Sequence, residues 1–156
     1  MAWWVGTWDG FGERTAEENH ALRERLFARG EYDGYLMHEG DTPVAWCQVG
    51  PRDRLEKLTR QFDLEADPAA WAITCFLVVP EARGRGLARE LLEAVLEDLP
   101  GRGAQRVEAF PRLTDAEELD EMDLWNGPRA LFEGSGFEHV RTVPPRCVLG
   151  LELGSR

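Results

Sequence analysis

The stretch from Trp71 to Leu99, WAITCFLVVPEARGRGLARELLEAVLEDL, constrains this chain most. Ala72 to Val79 is almost continuously apolar and rich in β-branched and aromatic residues, which suits a strand buried on both faces. Pro80 ends it, because proline cannot donate to a strand ladder. Leu87, Leu91, Leu92, Val95, Leu96 and Leu99 then recur at helical spacing and form one apolar stripe. Between the predicted strand and helix lies Glu81-Ala-Arg-Gly-Arg-Gly86.

This order favours an anion site. Gly84 and Gly86 let backbone N–H groups turn towards one point and let a ligand approach closely. The helix N-terminus adds unpaired donors and a partial positive charge. Arg83, Arg85 and Arg89 add full charges, so the loop suits a phosphate or pyrophosphate. A G-x-x-x-x-G-K-S/T loop is absent, which disfavours a Walker-type site. A dinucleotide fingerprint fits in part: Gly84-x-Gly86 opens a helix, and Glu108 lies near the expected acidic position. However, Arg89 stands where the third glycine belongs, and Pro80 to Arg83 separate strand from glycines.

The chain has 156 residues, a length that predicts a single domain spanning 1–156. Its net charge of −11 argues against nucleic-acid or anionic-membrane partners. That charge suits a cationic acceptor, and equally suits plain solubility. Against this background the loop arginines stand out as a local positive island. No run approaches ~18 apolar residues, so no membrane span is expected. The N-terminus lacks a basic region followed by a long apolar run, so no signal peptide is expected. Cys47, Cys75 and Cys147 are odd in number and unclustered, which predicts free thiols, no metal site and a cytoplasmic protein.

Along the chain, Trp3, Trp4, Trp8 and Phe11 fit either packing over a sheet edge, a dimer contact, or an aromatic wall for an acceptor. Thr15-Ala-Glu-Glu18 is a capping box, placing a helix start at Ala16. Residues 34–38 and 44–49 read as strands joined by a hairpin turn. Residues 53–62 read as a short helix and 106–110 as the next strand. The run Asp115–Asp123 holds six acids in nine residues and reads as a solvated loop or a lure for a cationic amine. A short helix over 127–134 and strands over 139–143 and 146–153 complete an α/β or α+β pattern.

Two motifs carry a family resemblance. Arg83-Gly-Arg-Gly86-Leu-Ala88 fits the pattern Gln/Arg-x-x-Gly-x-Gly/Ala and follows Val78-x-Pro80. Ala130-Leu-Phe-Glu-Gly-Ser-Gly-Phe137 fits a looser second motif through Leu131, Gly136 and Phe137. Over about residues 33–153 the chain resembles the GNAT superfamily of N-acetyltransferases. The resemblance implies a mixed, mostly antiparallel central sheet flanked by helices, with acetyl-coenzyme A as co-substrate. It places Arg83, Gly84, Arg85, Gly86, Leu87, Ala88 and Arg89 around the pyrophosphate. It assigns backbone N–H groups of Phe76, Leu77 and Val78 to the acetyl oxygen and pantetheine arm, where fixed dipoles stabilise a developing oxyanion. It puts Phe132 beside the cofactor, where the family commonly has a tyrosine that protonates the departing thiolate. Phenylalanine cannot donate that proton, although a thiol pKa near ~8.5 makes thiolate a tolerable leaving group.

The implied reaction is direct attack of a primary amine, from a small molecule or a peptide, on the thioester. The attacking amine must lose a proton, which a carboxylate within hydrogen-bond or one-water reach can accept. Glu108 matches a position where several family members hold that base, and otherwise is a glutamate on a solvated strand face. Asp123 and Glu13 are further candidates. A homodimer is a family-level expectation. The competing reading is a non-catalytic acyl-coenzyme A sensor or partner-binding module, motivated by Phe132.

Overall fold

The computed structural model describes residues 14–30, 33–113 and 125–154. Thr15 and Glu18 start helix α1 (Ala16–Ala28) by exchanging bonds: the Thr15 hydroxyl accepts from the Glu18 N–H, and the Glu18 carboxylate accepts from the Thr15 N–H. This is the capping box expected from the sequence. Strands β1 (Gly34–Glu39) and β2 (Thr42–Pro51) form a hairpin around Gly40, followed by helix α2 (Glu56–Phe62). Strand β3 (Ala70–Val78), helix α3 (Leu87–Asp98) and strand β4 (Arg106–Ala109) make a crossover unit, in which β3 and β4 are parallel. Helix α4 (Arg129–Glu133) leads into the hairpin of β5 (Glu138–Val143) and β6 (Arg146–Glu152).

The sheet order is β1-β2-β3-β4-β6-β5, and every neighbouring pair except β3–β4 is antiparallel. This is the mixed, mostly antiparallel sheet that the resemblance implies. Helix α3 lays Leu91, Leu92 and Val95 on one face, against Val49, Ile73, Phe76 and Val107. Complete burial of a leucine or valine contributes about 1.5–3 kcal/mol, so this stripe anchors the helix that carries the glycine loop. On the other face Leu26, Leu58 and Phe62 from α1 and α2 cover Ala72, Phe110 and Val148. The rings of Phe62 and Phe110 meet at 4.8 Å between centroids.

The three cysteines are free; Cys47 and Cys147 are buried and Cys75 is half-buried. Among the described residues no helix is long and apolar enough to cross a membrane. Trp3, Trp4, Trp8, Phe11, Glu13 and the acidic run with Asp123 lie outside the described residues.

A polar latch ties the C-terminal end of α3 to the start of β1. The Tyr35 hydroxyl donates to Asp98 at 2.7 Å and accepts from Arg102 at 3.0 Å. Arg102 also pairs with Asp33 and stacks over the Trp71 ring at 4.9 Å. Partial burial first, and the Asp98 carboxylate next, push the Tyr35 hydroxyl up from its ordinary 10.0 to about 12. A hydroxyl that keeps its proton longer in the folded state contributes stability below pH 10.0 and loses it as pH rises to about 12. The melting-temperature advantage of the parent protein over Tyr35→Phe should therefore shrink across that window, as read by thermal melts at stepped alkaline pH. A constant difference would show that Tyr35 does not titrate differently on folding.

Candidate active site

The site begins at a break in the sheet. Val49 pairs with Ile73 and Gln48 with Cys75, so Thr74 has no partner on β2 and forms a β-bulge. Such an extra residue bends its strand and ends pairing nearby. On the other edge, β3 stays with β4 only as far as Ile73 and Ala109. Beyond that point the two parallel strands part. The chain after β4 follows β6: Cys147 donates its N–H to the Pro111 carbonyl at 3.1 Å, Leu113 donates to Pro145 at 3.0 Å, and Arg112 bridges Arg146.

The upper edge of β3 takes a different partner. The Phe76 N–H donates to the Trp125 carbonyl at 2.8 Å, and the Asn126 side-chain amide donates to the Thr74 carbonyl at 2.9 Å. Phe76 and Asn126 form a short parallel bridge. Gly127 lets this strap pass: its φ is +83°, and a Cβ there would come within 3.0 Å of the Phe132 ring and 3.2 Å of the Phe76 Cβ. Asn126 and Thr74 are wholly buried, yet the Asn126 Oδ1 and Thr74 Oγ1 meet no hydrogen-bond partner among the described residues. Val78, two residues beyond Phe76, directs its N–H to the same edge. Leu77 lies between them, so its backbone groups face β2 instead.

At the mouth of this opening sits the glycine loop. A single 3-10 turn, Pro80–Ala82, follows the strand, and the Arg83 Nε reaches back to the Val78 carbonyl at 3.0 Å. Gly84 and Gly86 take φ of +74° and +84°, which the loop's tight path requires of glycine. A Cβ built on either would meet no atom within 4 Å, so the space beside them is open. Gly86 caps α3, and its carbonyl accepts from the Arg89 and Glu90 N–H groups. The Leu87 and Ala88 N–H groups, in the first turn, have no intrahelical acceptor. Arg85 forms a two-pronged ion pair with Glu39, and the Arg89 Nη2 lies 3.4 Å from where a Cβ on Gly134 would be. The loop thus offers open space, first-turn N–H groups without intrahelical acceptors and nearby arginines, a combination that suits an anion.

Glu108 and Phe132 are both buried. Glu108 is not on a solvated strand face; it is 2% exposed. Both of its oxygens accept from the Arg52 Nη1, at 2.9 and 3.0 Å, and the Arg106 Nε lies 3.1 Å from Oε1. It stands beside Ala72, four residues and about 13 Å of strand before Phe76. The carboxylate is thus the buried partner of the Arg52 and Arg106 guanidinium groups. Phe132 is wholly buried, edge-on to Phe76 at 6.2 Å and to Phe137 at 5.4 Å. It packs the core beneath the strap. Thr74 is hidden in an apolar run and no sequence pattern announces it; Asn126 lies beside the Gly127-Pro128 turn, and nothing in its local pattern shows that it reaches β3.

A family model described as the acetyltransferase (GNAT) family matches residues 2–120. No curated protein matches the chain. Among solved structures, an acetyltransferase from Thermus thermophilus is similar with a TM-score of 0.63 and 18% identity, covering 90% of this chain and 76% of that one. An acetyltransferase from Salmonella typhimurium, solved with acetyl-CoA, has a TM-score of 0.59 and 15% identity over 92% of this chain and 76% of its own. The ribosomal-protein-S18-alanine N-acetyltransferase from Escherichia coli has a TM-score of 0.56 and 15% identity, covering 92% of each chain.

Removing the charge of Glu108 leaves the buried Arg52 guanidinium, among the described residues, with the Glu65 carbonyl and with Asp53 at 3.8 Å in place of its closest carboxylate. Glu108→Gln should lower unfolding stability by about 3 kcal/mol or more, measured by urea denaturation. Unchanged stability together with lost acyl transfer would instead make Glu108 the base.

Proposed function

Since this chain belongs to the GNAT acetyltransferase family, we propose that it transfers an acetyl group from acetyl-CoA to a primary amine of a small molecule or peptide by direct attack. Acetyl-CoA is the family's co-substrate and supplies the acyl group as a thioester. The observation that carries this reading is the parting of β3 from β4 at the Thr74 bulge, with the glycine loop at its mouth.

In this reading the Leu87 and Ala88 N–H groups and the side chains of Arg85 and Arg89 hold the pyrophosphate. Gly84 and Gly86 leave room for it. Arg83 fixes the loop to the strand through the Val78 carbonyl. The N–H of Val78 faces the pantetheine arm. The N–H of Phe76 becomes available to an acyl oxygen only when the Trp125 carbonyl gives way, because the two are bonded to each other. These backbone dipoles are fixed by the sheet, so they need little reorganisation to stabilise negative charge on that oxygen. Asn126 is well placed to adjust, since its Oδ1 is buried with an unused lone pair. Glu108 is bound by arginines and Phe132 has no hydroxyl, so in this scheme the amine gives up its proton to solvent water, and coenzyme A departs as its thiolate and takes its proton from water.

A second reading has an observation of its own. The occupied Phe76 N–H and the apolar Phe132 suit a protein that binds acyl-CoA without turning it over. Titration of purified protein with acetyl-CoA, followed by thiol release with a panel of diamines, arylalkylamines and free-N-terminal peptides, separates the two. Amine-dependent release supports transfer. Binding with no release by any amine supports the sensor, and no binding at all sinks both.

The glycine loop has a sharper test. Gly86 at φ +84° disfavours a β-branched side chain, and the strain there is of the order of 1–3 kcal/mol. Gly86→Val should weaken coenzyme A binding about tenfold or more, read by calorimetry. An unchanged dissociation constant would remove the loop from the cofactor site.

A further inference from the structure

The three loop arginines are not equivalent. Arg83 turns inward and gives its Nε to the Val78 carbonyl. Arg89, on α3, lies against Gly134. Arg85 reaches across to the β1–β2 hairpin, where its Nη1 donates to the Glu39 Oε2 at 3.1 Å and its Nη2 donates to Oε1. Glu39 ends β1, next to the turn at Gly40. Its hydrogen bonds and then its charge hold the Arg85 guanidinium above its ordinary pKa. A carboxylate gripped by both prongs of a guanidinium presents the same two-oxygen fork as a phosphate. Both side chains are about half exposed, so this pair is weak and exchangeable.

We propose that Glu39 is a built-in competitor of the coenzyme's phosphates for Arg85, and that it sets how tightly the chain holds and how fast it releases coenzyme A. The inference rests on the reading that the glycine loop holds the coenzyme's pyrophosphate. When phosphate takes Arg85, Glu39 loses its partner and remains beside a second anion. When phosphate leaves, Glu39 recaptures the guanidinium and keeps the loop arginine ordered. Acyl and free coenzyme carry the same phosphates, so Glu39 weakens both alike. It therefore offsets product retention without touching the thioester end of the site. An acidic chain with net charge −11 already repels anions at a distance; Glu39 differs in acting through one guanidinium.

Calorimetric titration with coenzyme A tests this. Glu39→Gln should tighten binding about three- to fivefold at about 20 mM salt and gain nothing at about 500 mM, where exposed charges are screened. In an Arg85→Gln background the same change should have no effect. Asp41→Asn, which removes an exposed charge from the same hairpin turn, should leave the dissociation constant of the parent unchanged. Binding that is unchanged or weaker in Glu39→Gln overturns the proposal. So does an equal gain in the Arg85→Gln background or from Asp41→Asn, because the effect would then be general charge. If the parent protein binds coenzyme A and the Glu39 gain is missing, this inference fails alone. If the parent binds no coenzyme A, the cofactor reading fails and takes this one with it.

Discussion

Everything at the candidate site depends on one mismatch in backbone hydrogen bonding at Thr74. A buried strand must satisfy its N–H and C=O groups on both edges. Strand β3 pairs with β2 along its length, but the extra residue at Thr74 bends it away from β4 after Ile73. The edge beyond is then open to another partner. The Trp125–Asn126 strap takes part of it, through the Phe76 N–H and the Thr74 carbonyl. A ligand entering between the strands must compete for those same groups. Two buried oxygens without partners among the described residues, on Thr74 and Asn126, mark where the protein's own solution is incomplete.

Charge is divided along similar lines. Two sets of ion pairs serve architecture: Arg52 and Arg106 on Glu108, enclosed in the sheet layer, and the partly exposed pair of Arg102 with Asp33 at the end of α3. The first of these spans β4 and the turn after β2, so it fixes the lower half of the sheet while the upper half opens. The loop's cations are held more loosely, at the surface, where exchange with another anion costs little. A buried pair resists exchange because either partner alone would be left uncompensated in a poor solvent for charge.

Local patterns made most of the fold legible. The Thr15–Glu18 capping box places the start of α1, and the leucine stripe from Leu87 sets both the length and the buried face of α3. The glycines at 84 and 86 adopt the positive φ that their spacing suggests. These are short-range signals, carried by residues within one or two turns of each other. The position of Glu108 on β4 was visible, but Arg52 lies 56 residues away in sequence, and no local pattern announces that pair. Glu39 and Arg85 are 46 residues apart and equally silent.

The sequence by itself determined the element order, the strand–loop–helix unit with its two loop glycines, and the presence of phenylalanine where the resembling family has a proton donor. Those follow from periodicity, from the freedom of glycine and from the chemistry of a side chain. Only the tertiary structure decided which backbone groups of β3 remain free, that Trp125 and Asn126 claim two of them, and that Glu108 is bound by arginines. The reason is that hydrogen bonds and ion pairs between distant segments depend on register and on a bulge, and a linear string records neither.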